Sequence, residues 1–542
     1  MPVTRPEKKW ILIFAAAVAV ITTIPYCVAS ARSGSGYVFT GFLFGLEDGN
    51  SYIAKMLSGA GGAWLFRSPY TAYPQNGILA FFPYLLLGKL AAPPAEHEQL
   101  VALFQIFRLA ALSLDIYATY FFIARFIRRP GLRKLGTFFA VLGGGLGWLL
   151  VLAGQSNWLG SLPLEFYSPE TFGFLEIYSL PHLAAARGLL FLSLGLYVDL
   201  IAAWQGLPDR RRLRGSALIG LLLLLTGLFQ PLTALIGWIV ICSHLLAMIL
   251  RRIHEKQRTP LNFLWERRAL APVFAISAPI ILYTGIASLT DPYMQAWTTQ
   301  NIILSPHPLQ YLVAFGALLP FAVAGGLAYL RQDFEKGALL AAWMALLPFL
   351  AYFPYNLQRR LPEGIWVVLI TAALALVEIR KSGWVRVSRY VLVLGLPSTV
   401  LFFMGSLTSI QQPATPVYRP REEIQAFTAL ANTGKSDPVV LAAYDTGNAL
   451  PAWAPVRVLI GHGPESIHLK NLQPEVDAFF DSNTPDRNRL LLIHQFGVKY
   501  VFWGPLERKL GDWDPYTSPF LKLVYQKGEY SFFAVTDKEG GS

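Results

Sequence analysis

Long apolar runs recur along most of the chain and constrain its fold more than any other feature. A helix needs about 20 mostly apolar residues to cross a bilayer, and ten runs between Trp10 and Ile410 approach that length. The run 216–250 is too long for one helix and is broken at Gln230-Pro231, because proline disfavours helix at the residue before it. The sequence therefore predicts about 11 spans, near 10–30, 99–124, 135–154, 181–203, 216–250 (two spans), 269–289, 309–330, 338–353, 364–379 and 390–410.

The composition excludes a disordered chain and argues strongly against a soluble globular one. Hydrophobic residues make up 54% of the sequence and charged residues only 14%, where soluble domains carry roughly 25% charged residues. The net charge is +12, and the basic residues of residues 1–410 sit mostly in short clusters between apolar runs. This pattern indicates membrane topology, and we predict no nucleic-acid partner.

The basic clusters fix the predicted orientation. They precede the first span and recur at alternate loops, at 5–9, 125–134, 210–214, 251–268, 331–336 and 380–389, whereas the loops 155–180 and 290–308 contain no Lys or Arg. Because positive loops stay in the cytoplasm, we predict a cytoplasmic N-terminus in the plasma (inner) membrane. The first run resembles a signal peptide, ending at Ala29-Ser30-Ala31, but its length favours an uncleaved anchor.

An odd number of spans places the C-terminal part of the chain outside, in the periplasm or the extracellular space. Residues 1–410 form the predicted transmembrane domain, with a first outer loop at 31–98 that carries a juxtamembrane or re-entrant helix at 78–92. Residues 411–542 lack a spanning run. Short apolar strands at 438–443 and 499–503 alternate there with amphipathic helices at 422–431 and 486–495, which predicts a small extracytoplasmic α/β domain.

Two adjacent acids, Glu47 and Asp48, follow the first span. A carboxylate at a membrane surface can act as a general base toward a hydroxyl of a lipid-borne substrate. The alternative is structural, since Asp48 or Asn50 could cap the N-terminus of a helix through 51–56.

Arg359 and Arg360 lie in a turn that the charge pattern places outside, where Arg is otherwise scarce. Paired guanidinium groups bind phosphate through two-pronged hydrogen bonds, so we predict a phosphate site there. Snorkelling into the headgroup layer and a shifted topology are the alternatives.

The loop 155–180 carries three acids, Glu165, Glu170 and Glu176, and leads to His182 at the start of the next span. These residues could form a second wall of an active site or bind a cation. A solvated loop before a helix that starts at a proline is the plainer interpretation.

Two further patterns are weak evidence for a phosphate-binding or metal-binding site. Gly143-Gly144-Gly145 lies in an apolar run, where close helix packing explains it better than a phosphate-binding loop. The segment 461–465, with His462 and Glu465, has no recognisable metal-ligand spacing when taken with His468. We therefore predict no metal site from a motif.

The layout resembles the GT-C superfamily of membrane glycosyltransferases, such as the protein O-mannosyltransferases and the aminoarabinose transferase of lipid A. The similarity lies in Glu47-Asp48 after the first span, a long first outer loop that reaches Arg108, the basic cluster 125–129 and an outer C-terminal domain. The resemblance covers residues 1–410 and concerns the arrangement of spans and loops.

The resemblance implies a polyprenyl-phosphate-sugar donor and an extracytoplasmic acceptor hydroxyl on a glycan, lipid or protein. It assigns the base to Asp48 or Glu47 and fits Arg359 and Arg360 to the donor phosphate. Some members of the superfamily have a second acidic site, for which Glu170, Glu176 and Glu165 are all candidates here. A bound divalent cation is compatible with these acids, but no cofactor is certain.

The leading hypothesis is thus an inverting glycosyltransferase. A transporter or flippase of lipid-linked sugars is the first alternative, although such proteins usually show inverted repeats and this sequence shows none. A non-catalytic membrane scaffold whose outer domain binds partners is the second.

Overall fold

A computed structural model describes residues 3–256, 260–380, 390–434 and 437–536. Arg258, Lys381, Arg386 and Arg389 of the basic clusters lie outside the described residues. The helices are α1 (Arg5–Ala31), α2 (Leu46–Ala60), α3 (Phe82–Gly88), α4 (His97–Phe126), α5 (Pro130–Leu142), α6 (Trp148–Leu152), α7 (Gly173–Ser179), α8 (Pro181–Ala202), α9 (Asp209–Phe229), α10 (Pro231–His254), α11 (Pro260–Glu266), α12 (Ala271–Thr290), α13 (Pro292–Gln300), α14 (Pro308–Phe315), α15 (Leu318–Gln332), α16 (Phe334–Ala351), α17 (Ile365–Ile379), α18 (Leu396–Ser409), α19 (Arg421–Ala431), α20 (Tyr444–Ala449), α21 (Leu469–Phe479), α22 (Asp486–Phe496) and α23 (Pro505–Arg508).

The multi-pass helical architecture is confirmed. Within the described ranges, nine helices are long and apolar enough to cross a membrane, and α14 with α15, bent by 79°, would make a tenth span. The break at Gln230-Pro231 also forms as predicted, since α9 ends at Phe229 and α10 begins at Pro231. The chain is a membrane protein.

The run 135–154 does not form the continuous helix that its apolar composition predicts. Helix α5 ends at Leu142, and only the five-residue α6 follows. The glycine run interrupts the helix because its backbone makes other contacts: the Gly144 N–H donates to the Gly395 carbonyl. A Cβ on Gly145 would lie 2.4 Å from the Ala314 carbonyl oxygen, so the chain does pack closely here. The predicted packing between helices was wrong, because these glycines are not helical.

The chain divides into two compact units. The first comprises Met1–Thr23, Phe107–Gly285 and Ile303–Gly405, and the second comprises Ile24–Ile106, Ile286–Ile302 and Ser406–Ser542. The core of the first unit is apolar and includes Phe191 and Leu194 of α8, Trp343 of α16 and Val368 and Leu369 of α17, all fully buried.

The second unit contains the small α/β domain predicted for the C-terminal part. Its strands are β1 (Tyr37–Phe39), β2 (Tyr418–Pro420), β3 (Val439–Leu441), β4 (Arg457–Val458), β5 (Val498–Trp503), β6 (Leu521–Lys527) and β7 (Tyr530–Val535). Five of them form a sheet in the order β4-β3-β5-β7-β6, in which β4, β3 and β5 are parallel and β7 and β6 antiparallel.

Alternating side chains of β5 bury both faces of this sheet, as the pleat requires. Tyr500 and Phe502 pack with α19, whereas Val501 and Trp503 pack with α21 and α22. The antiparallel pair of β1 with β2 aligns Phe39 with Tyr418, so chain from the first outer loop and chain after the last span belong to one folded unit.

Helix α2 and helix α3 pack closely within the second unit. The predicted helix at 78–92 is the shorter α3, and its Gly88 lies so near Met56 of α2 that a Cβ would meet the Met56 carbonyl. Gly59 of α2 faces Leu85 in the same way. These glycines allow the two backbones to touch, which holds α2 in place.

Candidate active site

Glu47 and Asp48 occupy the first turn of α2, which begins at Leu46 after Gly45 in the left-handed conformation (φ 56°). The helix starts earlier than the alternative interpretation assumed, so neither Asp48 nor Asn50 is its N-cap residue. A carboxylate in a first helical turn is stabilised by the positive end of the helix dipole. Both carboxylates are exposed.

The Glu47 carboxylate is fixed by two donors. Its Oε1 accepts hydrogen bonds from the Tyr444 hydroxyl at 2.5 Å and from the Gly463 N–H at 2.6 Å. Asn448 adds a bond from its side-chain amide to the Glu47 carbonyl at 3.3 Å. Burial, with a further contribution from Glu47, raises the pKa of Tyr444, so the phenol keeps its proton and acts as a donor.

The Asp48 carboxylate contacts the His462 imidazole and remains open to solvent. The distance from His462 Nε2 to Asp48 Oδ1 is 3.2 Å, and the Asp48 side chain is 53% exposed while that of His462 is 6% exposed. Asp48 therefore combines a buried partner with access for a substrate.

A buried ion pair lies behind this contact. The Lys55 ammonium is 2.5 Å from Glu465 Oε1, and the Ser51 hydroxyl donates to the same oxygen at 2.8 Å. Lys55, Ser51 and Glu465 are all buried. Burial alone would raise the pKa of Glu465, but Lys55 and His462 outweigh it and lower that pKa, so the carboxylate stays ionised.

The sheet explains why these groups meet. Tyr444 and Asn448 follow β3, and His462 and Glu465 follow β4, so all four come from the carboxyl ends of parallel strands. Along the chain β4 follows β3 and pairs on one side of it, and the next strand, β5, pairs on the other side of β3. Such a switch in strand order opens the crevice where α/β sheets bind ligands, and here the first turn of α2 reaches that edge.

The acids of the loop 155–180 are buried and paired, which contradicts the solvated-loop interpretation. Glu165 Oε1 accepts bonds from the Gly147 N–H at 2.6 Å and the Ser398 hydroxyl at 2.9 Å. Glu176 lies 3.0 Å from Arg187. These acids thus face protein groups and not solvent. His182 is half-buried in the first turn of α8.

Arg187 of α8 joins this loop to Glu363, just before α17, inside the first unit. Its guanidinium is buried and lies 2.9 Å from Glu363 as well as near Glu176, and it donates to the Glu170 carbonyl at 2.5 Å. Asp199 pairs with Arg125 at 2.7 Å. Arg187 and Asp199, two charged residues within the predicted spans, thus each form an ion pair.

Arg359 and Arg360 lie in the short 3₁₀ turn Gln358–Arg360 of the first unit. Arg360 Nε is 3.2 Å from Glu170 Oε1, and the Arg359 guanidinium lies 4.4 Å from the centre of the Tyr167 ring. Both side chains are half-buried. Among the predicted site residues, Arg360 thus lies beside Glu170 in the first unit. Glu47 and Asp48 lie together in the second unit.

The described residues do not fit a metal ion, since no group of three or more His, Cys, Asp or Glu side chains among them is arranged to hold one.

Sequence reasoning missed His462, Glu465 and Lys55 as site residues. Asp48, Ser51 and Lys55 are spaced i, i+3 and i+7, which puts them on one face of a helix, so Lys55 carried a usable signal. His462 carried a weaker one, because it stands between two glycines after the apolar run 456–460.

Several solved structures are similar to this chain. The Archaeoglobus fulgidus oligosaccharyltransferase tethered with an acceptor peptide superimposes with a TM-score of 0.57 and 15% sequence identity, over 91% of this chain and 69% of that chain. The same organism's AglB, in complex with an inhibitory peptide and a dolichol-phosphate, gives 0.56 and 14% over 92% and 70%. These are GT-C membrane glycosyltransferases. The chain has the GT-C fold.

The fold that the resemblance implied is therefore confirmed. ArnT from Cupriavidus metallidurans in the apo state is also similar, at 12% identity over 97% of this chain and 98% of that chain, with a TM-score of 0.49. No family model matches the sequence, and no curated protein matches it significantly.

Proposed function

We propose that the protein is a glycosyltransferase that moves a sugar from a polyprenyl-phosphate donor to an extracytoplasmic acceptor hydroxyl. The observation that carries the proposal is the carboxylate pair at the strand-end crevice, with Glu47 fixed by two donors and Asp48 half-exposed on a buried imidazole. The GT-C fold supports the reaction class, and the AglB structure with a dolichol-phosphate supports a lipid phosphate as part of the donor.

Asp48 acts as the general base in this proposal. The acceptor oxygen attacks the sugar C1, its proton passes to Asp48, and the bond from C1 to the phosphate oxygen breaks with inversion. Asp48 suits the role because its carboxylate is exposed to an incoming hydroxyl. Glu47, which is more tightly held, orients the acceptor or Asp48.

Arg359 and Arg360 bind the phosphate of the leaving polyprenyl phosphate. Guanidinium groups stabilise the charge that develops there, and Arg stacked on an aromatic ring, as Arg359 is on Tyr167, presents a fixed planar donor set. Glu170 holds Arg360, and Glu176 and His182 remain further candidates for the same site.

The acceptor is a glycan, a lipid or a protein at the outer membrane face. The proposal keeps the cytoplasmic N-terminus and the extracytoplasmic C-terminal part predicted from the basic clusters. An acceptor peptide bound by the Archaeoglobus fulgidus enzyme shows that a GT-C fold can accommodate a protein acceptor.

Lipid extracts from cells that lack the gene test this reaction class without knowledge of the sugar. We expect a glycosylated polyprenyl phosphate to accumulate in the deletion strain, measured by mass spectrometry, and to fall to its normal level when the wild-type gene is restored. The Asp512→Asn variant, which alters an exposed loop carboxylate, should restore it equally. An unchanged lipid profile in the deletion strain would refute a lipid-linked donor.

A further inference from the structure

His462 stands between two carboxylates in the second unit. Its Nε2 is 3.2 Å from Asp48 Oδ1, within hydrogen-bond distance, whereas its Nδ1 makes no hydrogen bond to the described residues and lies at an ion-pair distance of 3.8 Å from Glu465 Oε1. A neutral imidazole carries one N–H, whereas the protonated ring carries two. Only the protonated ring can present an N–H to both carboxylates at once.

The surroundings of His462 favour the protonated ring. The groups that face it are Asp48 and Lys55 of α2, Glu465 of its own loop and the Tyr70 ring, whose centre lies 5.4 Å from the imidazole centre. Burial opposes protonation and Lys55 acts in the same direction, but the two carboxylates outweigh both and raise the pKa of His462.

Glu465 can exert this effect because its own position and charge are fixed. Lys55 and Ser51, one helical turn apart on α2, bind its Oε1, and the Lys55 ammonium lies 4.1 Å from the centre of the Phe81 ring. The Ser466 hydroxyl accepts from the N–H groups of Gly461 and His462, which fixes the loop that carries the imidazole.

We propose that His462 is a positioning residue of the active site, which holds the Asp48 carboxylate through Nε2–H and is itself held by the buried Glu465–Lys55 pair. The C-terminal domain thereby supplies a part of the catalytic apparatus instead of serving only to recognise a partner. This inference rests on the proposed function, because it gives His462 its role through the base Asp48.

The first test follows the ionisation of His462 by NMR in purified protein labelled with ¹³C-histidine. The His462 signal is identified as the one of the 8 histidines that disappears in His462→Gln. We expect it to titrate above the usual histidine value of about 6.5, and to shift to lower pH in Asp48→Asn and in Glu465→Gln. A His462 titration that neither substitution moves would overturn the proposal.

The second test measures the pH profile of kcat/KM for transfer. His462→Gln keeps a neutral donor, so we expect it to retain more activity than His462→Phe but to lose the ionisation that His462 contributes to the profile. His462→Phe should lower kcat by about ten- to hundredfold, the effect of one hydrogen bond to a charged group, with KM little changed.

His468→Asn is the matched control, since His468 belongs to the same segment, is exposed and sits at a positive φ that Asn tolerates. Its profile should be that of the wild type. A wild-type profile in His462→Gln, or wild-type transfer by His462→Phe, would contradict positioning. Absence of transfer by the wild type would instead refute the proposed function, while the titration coupling between His462 and Asp48 would stand.

Discussion

Lys55 and Glu465 show how the protein places charge next to its candidate base. Both side chains are buried and their charged atoms lie 2.5 Å apart. Removal of one partner leaves the other as an uncompensated buried charge, which typically costs about 3–5 kcal/mol. We expect Lys55→Met to lower the midpoint of thermal unfolding strongly.

The double variant Lys55→Met/Glu465→Gln removes both charges and should recover much of that loss. Differential scanning fluorimetry of the purified proteins in detergent measures this. If the double variant is as unstable as Lys55→Met, the loss comes from packing around Lys55 and not from an unpaired charge.

Arg359 and Arg360 differ in their partners, since Arg360 pairs with Glu170 and Arg359 lies on Tyr167. A lysine cannot reproduce the planar, two-pronged donor set of arginine. We therefore expect Arg359→Lys and Arg360→Lys to weaken use of the donor about ten- to hundredfold, as loss of a charge-assisted hydrogen bond would, with folding intact. KM for the donor in steady-state assays measures the effect.

Arg331→Lys, at an exposed position near the end of α15, is the control and should behave as the wild type. If Arg359 and Arg360 only anchored the protein at the membrane interface, lysine would replace them without loss, because lysine and arginine side chains both snorkel. Equal donor affinity in both lysine variants would thus remove the phosphate role.

At the scale of elements, the contact between α2 and α3 holds the helix that carries the acids. A Cβ on Gly59 would lie 2.1 Å from the Leu85 carbonyl oxygen, and backbone cannot yield as a flexible side chain can. We expect Gly59→Ala to destabilise the protein by about 1–3 kcal/mol, the usual cost of overpacking, and to reduce transfer by displacing Asp48.

Gly285→Ala is the matched control, because Gly285 also lies in a helix, α12, and has open space around its Cβ position. It should be neutral or stabilise by up to about 1 kcal/mol, since alanine favours helix over glycine. Equal unfolding midpoints for the two variants would show that α2 and α3 are not closely packed.

Elements with strong local patterns could be predicted from the sequence. The helix at 422–431 and the strand at 499–503 agree with α19 and β5 to within a residue, because amphipathic spacing and a β-branched, aromatic run are local signals. The two-residue β4 has no such signal. The interruption of the run 135–154 was also missed, since it depends on contacts of the glycine backbone with distant residues.

The candidate site could be predicted only in part for the same reason. Glu47 and Asp48 stood out because two acids interrupt an apolar context. His462 and Glu465 follow a strand too short to recognise, and their approach to Asp48 depends on pairing between segments about 400 residues apart along the chain.

At the scale of the whole molecule, the orientation predicted from the basic clusters can be tested at the C-terminal domain. Ser482 is exposed in a loop before α22. In a background without the two native cysteines, Cys27 and Cys242, we expect Ser482→Cys to react with an impermeant thiol reagent in intact spheroplasts. A reaction only after membrane rupture would place the domain in the cytoplasm and exclude an extracytoplasmic acceptor.

The central claim, that Asp48 is the base of a sugar transfer, is tested most directly by Asp48→Asn. Asparagine keeps the size of the side chain but removes its basicity. The measurement is the rate of sugar transfer by purified protein from the glycosylated lipid that accumulates in the deletion strain, with Asp512→Asn as control. We predict that Asp48→Asn slows transfer by about 10²–10⁴-fold while Asp512→Asn matches the wild type. Near-wild-type transfer by Asp48→Asn would contradict the account, and would move the base to Glu47 if Glu47→Gln were inactive.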